Sequence, residues 1–342
     1  MTPLLDVQGV SKTFSIAGGL FDRARGTVRA LDDVSFTVAV GTTVGLVGES
    51  GCGKSTMGHV IMGGLAANAG RILFDDPTLG LTDLVKADEA SRRKTRLNMQ
   101  MIFQDPNSSL NPRMTLLDLI GEPLVINGVL KGHALDDRVA ELLEQVGLST
   151  RYLRRYPHAL SGGQRQRVVI ARALALNPRL VVADEPISAL DVSIQAQTLN
   201  LMKDLQAERQ LTYLFIAHDL GVVNHFTDTT VVMYLGRVVE TGRTTQIFRA
   251  PRHPYSEMLI GSVPRIGDKG HRQKPAVGEV PSAMNPPAGC HFHPRCPYAQ
   301  DRCRTEVPAL LPMGDGRMAR CHFSETLTLA GMDGAPAART AT

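Results

Sequence analysis

Three short stretches of the chain carry residues whose types and spacing suit phosphate chemistry. Residues 48–55 read GESGCGKS and fit the pattern Gly-x4-Gly-Lys-Ser/Thr. In such a loop the glycines leave backbone N–H groups free to converge on an anion, and the following helix adds its positive end. Gly48, Glu49, Ser50, Gly51, Cys52 and Gly53 are expected to form the cradle. Lys54 would reach the β- and γ-phosphates, and Ser55, followed by Thr56, would bring a hydroxyl to Mg²⁺.

That loop alone does not choose among kinases, GTPases, helicases and transport ATPases. The stretch LVVADEP narrows the choice: Asp184 ends an apolar run, where it can hold the metal, and Glu185 stands next to it. A carboxylate there can orient and polarise an attacking water. In LSGGQRQR, Ser161 caps a helix start and Gly162, Gly163 and Gln164 follow, which makes a second anion-seeking turn. A chain with one nucleotide loop has no second nucleotide for it, so the turn suits a neighbour's. A plain flexible Ser-Gly-Gly loop is the bland alternative.

The elements that must position these residues read as α/β. TTVGLVG, RLVVADEP and LTYLFIAHD are short apolar strand patterns, each bounded by turn or polar residues. KSTMGHVIMGGL reads as a helix, and SIQAQTLNLMKDLQAER carries apolar residues at helical spacing. Alternating strands and helices imply a parallel sheet. Residues 106–165 read as a helical insertion, and TTVVMYLGRVVETGR as a hairpin with Gly236 near its turn. The reading divides the chain into a nucleotide-binding domain over 1–260, a linker and cysteine-rich domain over 261–325, and a disordered tail over 326–342.

Composition sets the limits. With 43% hydrophobic and 20% charged residues the 342-residue chain is an ordinary globular protein, and without tryptophan its packing must be aliphatic. A net charge of +4 is too weak to argue for nucleic acid. The opening MTPLLDVQGVSKTF lacks a charged segment followed by an apolar one, and no stretch approaches the ~20 apolar residues of a membrane span. A soluble chain in the cytoplasm is the expectation.

The order GESGCGKS, LSGGQRQR, LVVADEP followed by SALD, then FIAHD resembles the ATP-binding-cassette (ABC) ATPases over residues 4–250. The resemblance implies a RecA-like parallel-sheet core with an antiparallel β subdomain and a helical subdomain, and ATP and Mg²⁺ as ligands. It makes Gln104 in MIFQDP the glutamine that touches Mg²⁺ and the attacking water, and His218 the switch histidine on the γ-phosphate. Asp191 would lie at a dimer interface, and Ser161 and Gly163 would cover the opposite subunit's γ-phosphate. Phe14 in VSKTF stands where the family puts an aromatic against adenine, usually tyrosine. QDPNSSLNPRMT, SALDVSIQAQ, HPYSEML and GEVPSAMNPPAGC further resemble the oligopeptide/dipeptide import ATPases, in their second subunit type, to about Phe323. This implies a partner ATPase, two integral-membrane permeases, an external solute-binding protein, and a place on the cytoplasmic face of the membrane. Nickel or another small solute is the alternative cargo, and a non-transport ABC ATPase the rival class.

Four of the five cysteines, Cys290, Cys296, Cys303 and Cys321, follow the spacing C-x5-C-x6-C-x17-C. A reducing compartment argues against disulfides. Zinc sites usually contain a C-x2–4-C knuckle, absent here, yet His291, His293 and His322 lie close by. A four-iron cluster tolerates longer spacings, and Pro297 follows Cys296. The importers' tail has this cysteine-rich pattern, and the resemblance suggests an iron–sulfur (4Fe-4S) site in an appended module outside the catalytic core.

Overall fold

The computed structural model describes residues 3–16, 26–263 and 278–332. In chain order the strands and helices begin with β1 (Leu5–Ile16), β2 (Gly26–Val38), β3 (Thr43–Val47), α1 (Lys54–Ile61), β4 (Ala69–Asp76), β5 (Gly80–Asp83), α2 (Glu89–Asn98) and β6 (Met99–Ile102). A helical stretch follows: α3 (Pro106–Ser109), α4 (Leu116–Ile126), α5 (His133–Gln145) and α6 (Gly162–Leu174). Then come β7 (Leu180–Asp184), α7 (Val192–Arg209), β8 (Thr212–Ile216), α8 (Leu220–Phe226), β9 (Thr229–Tyr234), β10 (Arg237–Arg243), α9 (Thr244–Arg249) and α10 (Pro254–Gly261). The last elements are α11 (Asp301–Thr305), β11 (Leu311–Pro312) and β12 (Met318–Ala319).

Two sheets result. A four-stranded antiparallel sheet has the order β2-β1-β4-β5, and an eight-stranded sheet the order β11-β12-β10-β9-β3-β8-β7-β6. Within the larger sheet β9, β3, β8, β7 and β6 run parallel. Every residue of β3, β7 and β8 is buried, because helices and loops cover both faces of a parallel sheet. Successive side chains alternate between those faces. Val44 and Leu46 join the core shared with α1 and the antiparallel sheet, whereas Val47, Val181 and Phe215 join the core shared with the helical stretch. Leu235 and Gly236, with φ of 43° and 77°, close the expected β9–β10 hairpin as a left-handed two-residue turn.

The C-terminal extension is not the appended module that its cysteines suggested. β12 pairs with β10, Glu240 opposite Ala319 and Thr241 opposite Met318, so the extension prolongs the core sheet. Phe292 is fully buried against two core rings, with centroids 5.2 Å from Tyr234 and 5.4 Å from Tyr255. Arg320 donates to the Val238 carbonyl at 3.0 Å and to the Asp33 carboxylate at 3.0 Å, which ties the extension to the middle of β2. Glu240, fully buried, accepts from the N–H groups of Arg252 (2.8 Å) and His253 (3.0 Å) at the start of α10, and burial pushes its carboxyl up to about 7. Cysteine spacing carries no information about these aromatic and arginine partners, and they decide the packing.

The tail also departs from expectation at its start. Leu329 is buried, and the Ala330 N–H donates to the Glu257 carboxylate at 2.6 Å. The Met332 N–H donates at 2.7 Å to the Phe248 carbonyl, one of the carbonyls that the end of α9 leaves without an intrahelical partner. The rest of the tail, 333–342, lies outside the described residues, as do 17–25 and, in the linker, 264–277.

Candidate nucleotide-binding and hydrolysis site

The candidate residues gather at the C-terminal ends of the parallel strands, the edge where open α/β sheets bind ligands. The phosphate loop leaves β3 and enters α1. It has no room for side chains at two of its glycines: a Cβ on Gly48 would lie 2.2 Å from the Met233 carbonyl oxygen, and one on Gly53 2.3 Å from that of Ala30. The Lys54 ammonium is buried inside the loop, donating to the carbonyls of Gly48 (2.7 Å) and Glu49 (3.1 Å). Cys52 is packing, buried and with its thiol pushed up by burial. The Ser55 hydroxyl donates to Asp184 at 3.0 Å, so two of the three expected Mg²⁺ ligands stand side by side. Burial raises the Asp184 carboxyl despite that bond, which a cation held between the two would reverse.

At the end of β7, Glu185 takes a left-handed φ of 47°, an uncommon conformation for a residue with a side chain. Its own N–H donates to the Ile216 carbonyl at 2.9 Å, which locks the turn to β8. The turn aims its carboxylate at two side chains from neighbouring strand ends. Gln104, beyond β6, donates from Nε2 at 2.9 Å, and His218, beyond β8, places Nδ1 at 3.2 Å. The structure therefore brings Gln104 and Glu185, the residues expected at the water, together with His218, the residue expected at the γ-phosphate, although they are 81 and 33 positions apart in the chain.

The second anion-seeking turn is built as expected. Ser161 caps α6 in a reciprocal box with Gln164: the Ser161 Oγ accepts from the Gln164 N–H at 3.3 Å, and the Gln164 side chain accepts from the Ser161 N–H at 3.0 Å. Ser161 and Gly162 are exposed, Gly163 is half-buried against Ile194, and Asp191 is exposed at the start of α7. Phe14 lies on β1 opposite Val28, partly exposed, with the Lys12 ammonium 5.1 Å from its ring.

The ABC transporter family matches residues 31–188, and the family described as oligopeptide/dipeptide transporter, C-terminal region, matches residues 239–303. The probable peptide ABC transporter ATP-binding protein y4tS of Sinorhizobium fredii is 49% identical over 321 residues, covering 93% of this chain and 89% of that one. The oligopeptide transport ATP-binding protein AppF of Bacillus subtilis is 46% identical over 323 residues, covering 94% of this chain and 97% of that one. The chain belongs to the ABC transporter ATPases.

In three dimensions the cassette is similar to the ATP-binding cassette MJ0796, solved as a dimer in a post-hydrolysis state with ADP and Pi. The TM-score is 0.60 at 30% identity, over 70% of this chain and 98% of that one. The cassette hydrolyses ATP in the service of transport. No helix among its described residues is long and apolar enough to cross a membrane.

The cysteines correct one expectation in part. Cys290, Cys296, Cys303 and Cys321 do converge on one narrow cavity of about 10 Å³, beside His253 and His322. Among the described residues, however, no three His, Cys, Asp or Glu side chains are arranged to hold a metal ion. Burial raises the Cys290 thiol and pushes Cys296 up to about 12 and Cys321 up to about 11. Sequence reading also missed residues that support the loop from below. Tyr255 accepts from the Glu49 N–H at 2.8 Å, and Arg295 pairs with the Glu49 carboxylate at 2.7 Å. The available signal was Glu49 itself, an acid in a loop made for anions.

Proposed function

We propose that this cassette is one of two that together power the import of oligopeptides or dipeptides, docked on the cytoplasmic face of the membrane to two permeases that receive cargo from an external binding protein. The reading is supported chiefly by the match of residues 239–303 to the oligopeptide/dipeptide transporter C-terminal family. Relatives named for peptide transport, aligned over nearly their whole length, support it as well.

In the hydrolytic step Glu185 takes a proton from a water aimed at the γ-phosphorus, while Gln104 and His218 hold that carboxylate in place. The Lys54 ammonium would leave the loop carbonyls for the β- and γ-phosphates, and Ser55, Asp184 and Gln104 would hold Mg²⁺, which would neutralise phosphate charge there. Phe14 offers a ring face to adenine. The exposed Ser161 and Gly162, with the half-buried Gly163 and Gln164, cover the partner cassette's γ-phosphate across an interface that includes Asp191. ATP then closes the pair, and loss of phosphate releases it. Co-purification from native membranes is expected to recover two permeases and a second, different cassette. Recovery with ribosomes or DNA instead would overturn the importer reading.

For the four C-terminal cysteines, their convergence on one spot and thiol ligand chemistry support an iron–sulfur cluster, with zinc as the competitor, and the cavity of about 10 Å³ would have to widen to admit it. Protein purified without oxygen is expected to be brown and to contain about four irons and four sulfides. A colourless protein with stoichiometric zinc would sink the cluster.

A further inference from the structure

Glu49 poses an electrostatic problem. It lies inside a loop whose backbone exists to hold polyphosphate, and a carboxylate there repels the ligand. The structure holds the compensating charge 246 residues later in the chain. The Arg295 guanidinium meets the Glu49 carboxylate with both ends of its fork, Nη1 to Oε2 at 2.7 Å and Nη2 to Oε1 at 2.9 Å. Such bidentate pairs are the strong, directional ones. The Arg295 side chain is only 6% exposed. It lies 5.9 Å from the ring centroids of both Tyr234 and Phe292, and the Tyr255 hydroxyl fixes the Glu49 backbone alongside. The extension also supports the loop from its other side. Arg320 of the extension holds Asp33, next to Asp32, which Arg237 of β10 holds; both acids lie just beyond Ala30, whose carbonyl leaves no room for a Cβ at Gly53.

We propose that Arg295 is a positioning residue of the nucleotide site: it neutralises Glu49 within the phosphate loop and anchors that loop to the C-terminal extension, so that affinity for ATP depends on the extension. Arg295 does not touch the phosphates. It acts through Glu49, and its loss leaves an uncompensated carboxylate within the phosphate loop.

This charge logic gives the proposal a signature that general damage would not produce. The full-length chain is titrated calorimetrically with Mg²⁺ and the non-hydrolysable analogue adenylyl imidodiphosphate. Arg295→Met is expected to weaken binding about tenfold, within the range of coupling between linked sites. Arg295→Lys, which keeps the charge but loses the fork, should fall between the parent and Arg295→Met. Adding Glu49→Gln to Arg295→Met removes the unpaired carboxylate and should recover most of the lost affinity. In turnover assays the Arg295→Met defect should fall on KM for ATP, with kcat at saturation changed by less than about twofold. Unchanged affinity in Arg295→Met would overturn the proposal. A Glu49→Gln/Arg295→Met double variant as weak as Arg295→Met alone would overturn it too, because that is the result expected if the substitution merely unfolds the extension.

Discussion

Glu185→Gln is expected to slow ATP turnover by a factor of about 10³, within the usual contribution of a positioned general base, and to leave nucleotide affinity essentially intact. The amide has nearly the same shape and can keep the left-handed turn at residue 185 and the contact with Gln104. It cannot accept a proton from water. In the proposed mechanism affinity rests elsewhere, on the loop N–H groups, on Lys54 and on the Ser55–Asp184 pair. Steady-state phosphate release and equilibrium ATP binding separate the two quantities. A variant that still hydrolyses at the parental rate would remove Glu185 as the base, and one that fails to bind would show that its carboxylate mainly shapes the site.

Phe292→Ala is expected to lower global stability by about 3–5 kcal/mol, the range for deleting a fully buried aromatic side chain. The ring is enclosed by Tyr234, Tyr255 and His253, whose centroids lie 5.2, 5.4 and 5.8 Å away, and these belong to the core sheet and α10 with its cap. Contacts of this kind add to the loss of buried area. The urea midpoint should fall at nearly constant slope, since the same surface still unfolds. A loss below about 1 kcal/mol would mean that the extension folds apart from the cassette. A second, low-denaturant transition would carry the same meaning.

The sequence makes legible whatever is dictated locally. GESGCGKS fixes its own loop because the backbone must approach both the anion and neighbouring carbonyls, and the crowding of Gly48 against Met233 is the structural counterpart. The parallel strands are visible as short apolar runs because both faces are covered. The meeting of Gln104, Glu185 and His218 is less legible: each sits at a strand end, but strand order must be known before the ends can be joined. The family resemblance supplied that order. The two-stranded start of the antiparallel sheet gives a weak signal, since register shifts between Val7 and Thr13 break its alternation. The extension is hard to read for a related reason. Its cysteines advertise themselves by type, whereas Phe292, Arg295 and Arg320 become informative only beside residues far away in the chain.

The antiparallel pairing of β10 with β12 has a consequence for synthesis. A chain emerging from its N-terminus presents the phosphate loop early, but β12 and Arg295 only near the end. Until then β10 keeps an unpaired edge, the kind of surface that invites association with other strands. The Glu49 carboxylate meanwhile lacks its counter-charge. A nascent or truncated cassette is therefore both sticky and poor at holding nucleotide, and only the completed polypeptide is ready to run. The final stretch of the chain serves as a seal of manufacture, closing the first loop that matters.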